Sequence, residues 1–424
     1  MPSEISTCNL ASVCRERPRT PKGRETRKYK LACFVGHPIQ YFAPLYCYLS
    51  TVPELDLKVY FLAGFSASVY HDPGFGVSFE WDVPLLDGYL YEFLPTLTRD
   101  NSRFSFWRPL NYGIYRGLRR GRYDALMVHG YAQNSMLRAI ASAKALGMKV
   151  LVRGESHLLG RNLHGPAPTL RYGVLRKLFG ALDAFLAIGT LNREFYCHHG
   201  VPDEKIFLTP YAVDNDFFRE RAREARSSRE QLRASLGLEG GRPVILFASK
   251  FQQRKHPDHL LEAYIGLSPD NKREPRPYLL FVGDGEMRQS LEQRAGRLGW
   301  NSIKFLGFKN QSELPRYYDL CDVFVLPSEG EPWGLVINEV MNAGKPVITT
   351  DQVGAAADLV SDGLNGFVVP VGDIEVLSQR LRTLSAAPGL AARMGENSLK
   401  RIETWGLREV ADGLLEGLGY AVSD

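Results

Sequence analysis

Residues 322–350 read DVFVLPSEGEPWGLVINEVMNAGKPVITT, and their pattern indicates the fold class of the chain. It opens with a short apolar run bounded by a proline and a serine, which is typical of a buried strand. A loop then leads to Gly334, where an apolar run of helical period begins and continues to Gly344. The run KPVITT follows directly. A strand, a helix and a second strand in this order predict a parallel β/α unit.

The same alternation continues on both sides of this unit, in two series. The second series, residues 241–400, also contains the strand-like runs PVILFAS, YLLFVGDG, IKFLGF and GFVVP. The first series, residues 29–213, contains YKLACFVG, LDLKVYFLAG, YDALMVHG, MKVLVRGES, LDAFLAIG and KIFLTPYAV. A chain of 424 residues is too long for one ordinary core. We therefore predict an α/β protein with two tandem doubly wound, Rossmann-like domains that face a cleft.

The segments outside these series differ in composition. Residues 214–240 are polar, rich in arginine and followed by Gly241, so we expect an interdomain linker. Residues 1–30 carry eight Lys or Arg against three acids, which accounts for the net charge of +5 of the whole chain. We predict that residues 1–28 are a disordered basic tail. Solvation explains this tail most simply, contact with anionic lipid or nucleic acid is the alternative, and we expect no nucleic-acid partner.

The overall composition fits a soluble globular enzyme, with 44% apolar and 23% charged residues. No apolar run approaches the ~18 residues that are needed to cross a bilayer. The N-terminus lacks the apolar core of a signal peptide. These features favour a cytoplasmic location. The cysteines do not occur in C-x-x-C pairs, so no zinc site is predicted.

Three cations, Lys250, Arg254 and Lys255, follow the strand PVILFAS. They lie in a predicted strand-to-helix loop, where positive charge near a helix start suits a phosphate group. A solvated basic loop is the alternative. Gly283 in FVGDGE permits close approach of the backbone to a ligand, although a Gly-x-Gly turn alone is a weak signal.

Two glutamates flank the start of the helix that is predicted from Gly334. Glu331 precedes the helix, and Glu339 lies within it, eight residues further on. Free backbone N–H groups at a helix start attract a phosphate, and carboxylates accept hydrogen bonds from the vicinal hydroxyls of a ribose or a hexose. This pattern favours a phosphate with a sugar on each side. The alternative is a capping acid and a surface acid with no ligand.

The stretch EPWGLVINE resembles the E-x7-E motif of family 4 of the retaining glycosyltransferases, which have the two-domain GT-B fold. Other stretches resemble the pattern of that family in the same order: SKFQQRKHP, FVGDGE, KFLGFKNQSELPRYYDLCDVFVLPS and ITTDQVGAAADLVSDGLNGFVVPVGD. One departure is Lys250, where the family usually has an arginine, so the charge is kept and the planar fork is lost. The resemblance covers nearly all of residues 29–424. It implies that residues 401–424 form a helix that packs back on the first domain.

The resemblance implies a nucleotide diphosphate sugar, UDP- or GDP-linked, as donor substrate, with no cofactor and no metal. It implies that Glu331 contacts the transferred hexose, that Glu339 binds the ribose hydroxyls, and that Lys250 and Lys255 hold the diphosphate. The other donor-side positions are a glycine turn, two backbone amides and three residues near the base: Gly283, Gly334, Leu335, Phe308, Lys309 and Leu314. We interpret the acidic run DND at 214–216 as caps and turn residues rather than as a metal motif.

In the first domain, the resemblance implies functional residues at strand ends. His129 ends the strand YDALMVHG, where the family often has a histidine close to the reaction centre, and we group it with Glu331 and Lys255 as catalytic. The acceptor-side candidates are Gly36, His37, Arg153 and Glu155. Asp72 and Asp82, in the aromatic and acidic segment DPGFGVSFEWDVPLLDGY, are further candidates for the acceptor side, although turn and cap roles explain them more simply.

We therefore expect a retaining hexosyltransferase of polysaccharide or glycolipid synthesis, acting on a sugar or lipid-linked acceptor. A nucleotide-sugar epimerase or a phosphorylase on the same fold is an alternative, and so is a non-catalytic sugar-nucleotide-binding protein. Peripheral contact with the inner face of the membrane is a further hypothesis. The run LRYGVLRKLFG, residues 170–180, either lies on an anionic surface as a basic amphipathic helix or packs on the core in the ordinary way.

Overall fold

The computed structural model describes residues 27–98, 104–160, 166–267 and 276–423, so the predicted basic tail lies almost wholly outside the described residues. The strands are β1 (Tyr29–Val35), β2 (Leu55–Phe61), β3 (Tyr70–Asp72), β4 (Val77–Phe79), β5 (Leu90–Phe93), β6 (Ala125–His129), β7 (Lys149–Gly154), β8 (Ala184–Ala187), β9 (Ile206–Leu208), β10 (Val244–Ala248), β11 (Tyr278–Val282), β12 (Ile303–Phe305), β13 (Val323–Leu326), β14 (Val347–Thr350) and β15 (Gly366–Val369). The helices are α1 (Phe42–Ser50), α2 (Ile114–Gly121), α3 (Asn134–Ala145), α4 (Pro166–Gly180), α5 (Thr190–His198), α6 (Asn215–Ala225), α7 (Arg229–Ser235), α8 (Pro257–Ile265), α9 (Arg288–Leu298), α10 (Leu314–Leu320), α11 (Val336–Asn342), α12 (Gly354–Leu359), α13 (Ile374–Ala386), α14 (Pro388–Ile402) and α15 (Leu407–Ser423).

The first sheet is parallel throughout and has the strand order β5-β2-β1-β6-β7-β8-β9. Its central strands are continuous apolar runs because helices cover both faces. Along β1, Leu31 and Cys33 pack into one core cluster while Ala32 and Phe34 pack into the other, as the two-residue period of a strand requires. β3 and β4 form a separate antiparallel hairpin that leaves this sheet.

The second sheet is also parallel and has the order β12-β11-β10-β13-β14-β15. Its strand order reverses between β10 and β13, and the order of the first sheet reverses in the same way between β1 and β6. Ligands of open parallel sheets bind at the carboxyl ends of the strands beside such a reversal. The predicted fold class, two doubly wound α/β units, is confirmed.

The segment that was expected to be a linker is helical. Its first helix, α6, is capped by Asp214, whose carboxylate accepts a hydrogen bond of 3.0 Å from the N–H of Phe217. Helices α6 and α7 pack against α10, and α6 also packs against α11. Arg229 donates to the buried carboxylate of Asp319 with a distance of 2.7 Å. The segment is therefore folded onto the second half of the chain.

The C-terminal helix α15 packs against β7, β8 and β9 of the first sheet. The chain reaches it after α13 and α14 of the second half. Trp405, in the connection before α15, stacks on Trp333 with ring centroids 5.7 Å apart, and Asn215 donates to its carbonyl oxygen over 3.3 Å. The segment from Trp405 to the end of α15 thus contacts both domains, beside the loop that contains Glu331.

Helix α4 is amphipathic, as its sequence indicates. It buries Leu175 and Phe179 in the core of the first domain and exposes Leu170 and Val174. Within the described residues, no helix combines the length and the apolar character that crossing a membrane requires.

Candidate active site

A cleft of about 820 Å³ lies between the carboxyl ends of the two sheets. It contains most of the residues that the sequence singled out, from both halves of the chain. They are His37, Glu155, Lys250, Lys255, Gly283, Phe308, Lys309, Leu314, Glu331, Gly334, Leu335 and Glu339. The strand reversals therefore bring the predicted donor-side residues together, which local sequence alone cannot do.

Glu331 is a carboxylate of the cleft that is held by both its backbone and its side chain. Its backbone N–H donates to the carbonyl of Gln352 over 3.0 Å, which fixes the loop after β13 against the loop after β14. Its side chain accepts hydrogen bonds from Lys255 and, at 2.8 Å, from Arg254. Burial would raise the pKa of Glu331, but the two cations outweigh it and hold the pKa below its usual value. Glu331 is therefore an anion clamped between two cations of the loop after β10.

Lys255 is buried beside this carboxylate. Burial lowers the pKa of Lys255, while the charge of Glu331 opposes that shift. A buried ammonium needs a paired anion, because an isolated charge in a protein interior is costly. The cleft therefore presents an ammonium that an additional anionic ligand can share with Glu331.

Lys250 forms an ion pair with a first-domain residue that the sequence placed on the acceptor side. Its ammonium lies 2.9 and 3.0 Å from the two carboxylate oxygens of Asp72 and 4.8 Å from the ring centre of Phe75. Asp72 also accepts the N–H of Gly74 at 2.7 Å and so fixes the turn of the β3–β4 hairpin. Burial would raise the pKa of Asp72, but its hydrogen bonds with Lys250 hold the pKa below the usual value. Asp72 thus acts both as a turn residue and as the partner of a cleft lysine.

The β3–β4 hairpin closes the end of the cleft at which the resemblance places the base. Phe79 packs against Phe308 with ring centroids 4.3 Å apart. Asn310 donates to the carbonyl oxygen of Glu80 over 2.6 Å, and the N–H of Ser312 donates to Asp82 over 3.2 Å. The aromatic and acidic segment was expected to line the acceptor side. That expectation is wrong for these contacts, because the hairpin reaches across to the second domain.

Glu339 is wholly buried at the inner wall of the cleft. It accepts a hydrogen bond from the hydroxyl of Tyr318, and Tyr41 of the first domain lies beside it. Burial raises the pKa of Glu339 to about 7, although both tyrosines act in the opposite direction. Tyr41 and Tyr318 also line the cleft, and no motif in the sequence identified them.

The helix after Glu331 is shorter than its sequence predicts. Gly334 does not begin it, because Gly334 has a φ of +91°, in the left-handed region that favours glycine. Helix α11 begins at Val336 and has seven residues. A Cβ atom on Gly334 would lie 3.0 Å from Leu326, so both the conformation and the packing require glycine. Lysine side chains rather than a long helix therefore provide the positive charge of the site.

Three first-domain candidates do not line the cleft: Gly36, His129 and Arg153. His129 is half-buried, with its Nε2 3.3 Å from the hydroxyl of Tyr46 and its ring 4.6 Å from the ring of Phe42. Burial holds the pKa of His129 well below its usual value, so the imidazole is neutral at physiological pH. The catalytic role of His129 stays a prediction.

Arg153 and Gly36 make contacts within the first domain. Arg153 is buried and donates to the carbonyl of Pro210 over 3.2 Å. Gly36 faces the ring of Phe104, which lies 3.3 Å from the position that its Cβ would take. Neither residue lines the cleft, and their acceptor-side role stays a prediction.

His37 and Glu155 do face the cleft. His37 is bonded to Ser66 over 2.8 Å, and burial lowers its pKa to about 4. Glu155 accepts a hydrogen bond of 2.6 Å from the hydroxyl of Tyr211, another cleft residue without a sequence signal. These groups give the first-domain wall a neutral imidazole and a carboxylate beside a phenol.

Comparison with known proteins identifies the family. Residues 228–401 match the model of glycosyl transferases group 1. The D-inositol 3-phosphate glycosyltransferase of Streptomyces bingchenggensis (strain BCW-1) is 31% identical over 319 residues, which are 70% of this chain and 67% of the relative. The lipopolysaccharide core biosynthesis glycosyltransferase LpsE of Rhizobium meliloti (strain 1021) is 33% identical over 165 residues, or 39% of this chain and 46% of the relative. The chain thus spans two thirds or less of the length of these two relatives.

The solved structure of HepE from Anabaena in complex with UDP and glucose has a similar fold. Its TM-score is 0.67 at 18% identity, over 92% of this chain and 99% of HepE. A likeness at this identity concerns the fold and not the substrates. Together with the match of the family model and the relative from Streptomyces, it shows that this chain belongs to the group 1 glycosyltransferases and has the GT-B architecture.

Proposed function

We propose that the protein transfers a hexose from a nucleoside diphosphate sugar to an acceptor hydroxyl, with retention of the anomeric configuration. The observation that carries this proposal is the cluster of Lys255, Arg254 and Glu331 at the strand reversal of the second sheet, with Lys250 in the same cleft. Cations at this position suit a diphosphate, and a carboxylate beside them suits sugar hydroxyls.

Binding of the donor would exchange partners within this cluster. In the structure Lys250 is paired with Asp72, and Lys255 is paired with Glu331. A diphosphate carries more charge than a single carboxylate and would take Lys250 from Asp72. Glu339 and the hydroxyl of Tyr318 would bind the ribose, and Phe308 would contact the base. The complex of HepE with UDP and glucose supports a donor of this class on the same fold.

The transfer step would break the bond between the anomeric carbon and the diphosphate oxygen. Negative charge then grows on the diphosphate, where Lys250 and Lys255 stabilise it. Positive charge grows on the sugar ring, where Glu331 contacts the hexose. The acceptor hydroxyl attacks from the face that the diphosphate leaves and gives its proton to the departing phosphate oxygen.

The acceptor would enter from the first-domain wall, which His37 and Glu155 form. We propose a sugar or a lipid-linked sugar in polysaccharide or glycolipid synthesis. The similarity to LpsE, a lipopolysaccharide core biosynthesis glycosyltransferase, supports this role. Closure of the cleft around both substrates would exclude water and limit hydrolysis of the donor.

Incubation of the full chain with UDP- and GDP-hexoses tests the proposal. Thermal stabilisation first selects the donor, because a ligand of the native state raises the melting temperature. NMR of the products then gives the configuration at the anomeric carbon. An inverted product would refute retention alone. Products that form only with free phosphate would indicate phosphorolysis instead of transfer. A changed sugar that forms without any acceptor would indicate epimerisation. Donor binding without turnover on any acceptor would indicate a non-catalytic sugar-nucleotide-binding protein.

A further inference from the structure

Residues 104–123, with sequence FSFWRPLNYGIYRGLRRGRY, combine aromatic residues with five arginines and no acid. The segment begins at the cleft, where Phe104 forms part of the wall, and then runs over the outside of the first domain. The residues beyond Phe104 have no role in the proposed transfer reaction.

Large apolar side chains of this region are exposed to solvent. Leu97 is 69% exposed and Trp107 is 62% exposed, and Phe106, Tyr112 and Tyr115 are also exposed. These five residues are called the aromatic face below. Exposed apolar groups scattered singly are ordinary, whereas several within one short segment indicate an interaction surface.

The backbone holds the aromatic face in place. Ser105 and Arg108 exchange two backbone hydrogen bonds of 3.0 and 3.2 Å, so Phe106 and Trp107 form the tip of a tight turn. The N–H of Leu97 donates to Leu110 over 2.9 Å, and the N–H of Tyr112 donates to Pro95 over 3.0 Å. The exposure of these side chains is therefore a property of a hydrogen-bonded scaffold.

Helix α2 adds positive charge next to the aromatic face. It buries Ile114 and Leu118, and its other side exposes Tyr115, Arg116 and Arg119. Arg108, Arg116 and Arg119 form no ion pair with any of the described residues, whereas Arg120 lies 3.4 Å from Glu92. The surface thus carries cations that no carboxylate of the described chain neutralises.

We propose that the aromatic face and the arginines beside it dock on an anionic bilayer surface. Aromatic side chains favour the membrane interface, and arginines near it are attracted by acidic headgroups. A symmetric contact with a second copy would bury the arginines of both copies, and residues 104–123 contain no acid that could pair with them. Leu97 presents an aliphatic side chain that does not stack on bases, so a lipid interface suits this surface better than a single-stranded nucleic acid.

Docking in this orientation would bring the first-domain wall of the cleft to the membrane. Phe104 lines the cleft three residues before Trp107, a span of about 10 Å at most. The ring of Phe104 lies 5.6 Å from the ring of His37. This consequence for a lipid-linked acceptor depends on the proposed function, whereas the docking itself does not.

Co-sedimentation of the full chain with vesicles tests the docking. The chain should sediment with phosphatidylcholine vesicles that contain phosphatidylglycerol, and much less with phosphatidylcholine alone. Changing Arg116→Gln and Arg119→Gln together should weaken the binding about 25-fold. Trp107→Ala should weaken it about tenfold and abolish the blue shift of tryptophan fluorescence.

The matched control is Leu170→Ser with Val174→Ser on helix α4, which removes side chains that are 72% and 59% exposed from the other amphipathic surface. This control should bind vesicles as the unchanged chain does. The proposal would be overturned if the α4 changes abolished vesicle binding, or if neither change in the proposed surface weakened it. Concentration-dependent self-association that Trp107→Ala removes would also overturn it, as would binding to single-stranded RNA without binding to vesicles. Calorimetry with UDP reports on the donor site separately, so loss of UDP binding would count against the proposed function alone.

Discussion

The ammonium of Lys250 and the carboxylate of Asp72 lie 2.9 Å apart and join the two domains across the cleft, although the residues are 178 positions apart in sequence. This ion pair occupies a cation that the proposed reaction needs for the diphosphate. If the proposed donor binds there, it would compete with the β3–β4 hairpin for Lys250.

The first prediction follows from this competition. Asp72→Asn removes the negative charge but keeps an oxygen that can accept the N–H of Gly74. Since a partly exposed pair contributes up to ~1 kcal/mol, UDP should bind up to about fivefold more tightly in isothermal calorimetry. The matched control is Asp82→Asn on the same segment, whose carboxylate contacts Ser312 rather than a cation. Weaker binding of UDP by Asp72→Asn would show that the hairpin supports the donor instead of opposing it.

The second prediction concerns the buried pair of Lys255 and Glu331. Lys255→Met leaves Glu331 paired only with the half-exposed Arg254. Because one cation remains, the loss of unfolding free energy should be about 2 kcal/mol, less than for a wholly unpaired buried charge. Adding Glu331→Gln should restore most of that stability in a denaturant titration. Neither variant should transfer sugar, because both lack the ammonium at the diphosphate. Full transfer activity in the double variant would show that Lys255 has no role in the mechanism. If the double variant did not recover stability, the broken pair would not be the cause of the lost unfolding free energy.

The third prediction concerns the glycine after Trp333. Gly334→Ala places a Cβ at 3.0 Å from Leu326 on a residue with φ of +91°. The free energy of unfolding should fall by about 2 kcal/mol, from backbone strain and the close contact together. Gly363→Ala is the control, since its φ is +75° and a Cβ there would meet nothing within 4 Å. Equal losses in the two variants, measured by denaturant unfolding, would mean that the contact with Leu326 contributes nothing.

Much of the second domain was predictable because its signals are local. Cations follow β10, and a carboxylate and a glycine follow β13, so these groups lie at the carboxyl edge of a parallel sheet. Because β10 and β13 are neighbours in that sheet, Lys255 lies next to Glu331. The prediction of a glycosyltransferase with the GT-B architecture is confirmed, whereas the assignment to family 4 stays a prediction. The retaining mechanism and the residue roles remain predictions.

The contacts between the domains were not predictable. Asp72 and Tyr41 meet Lys250 and Glu339 only because of how the two sheets face each other, and no spacing in the sequence encodes that arrangement. The surroundings of His129 were not predictable either. It ends a strand at the reversal of the first sheet, as predicted, but the sequence did not indicate that Phe42 and Tyr46 of α1 pack against it.

The last prediction uses the raised pKa of Glu339. Its pKa in the folded protein is about 7, against 4.5 for the ordinary carboxyl. Because the folded value is the higher one, this group stabilises the fold fully below pH 4.5 and loses that contribution as the pH rises to 7. At about 1.4 kcal/mol for each pKa unit, the contribution is roughly 3 kcal/mol. The unchanged protein should therefore lose more stability over this interval than Glu339→Gln, which keeps the shape without the titration. Melting temperatures measured across the interval give the difference, and parallel curves for the two proteins would place the titrating group elsewhere. If the ionised form binds the ribose, the affinity for UDP should rise over the same interval in the unchanged protein and stay flat in Glu339→Gln.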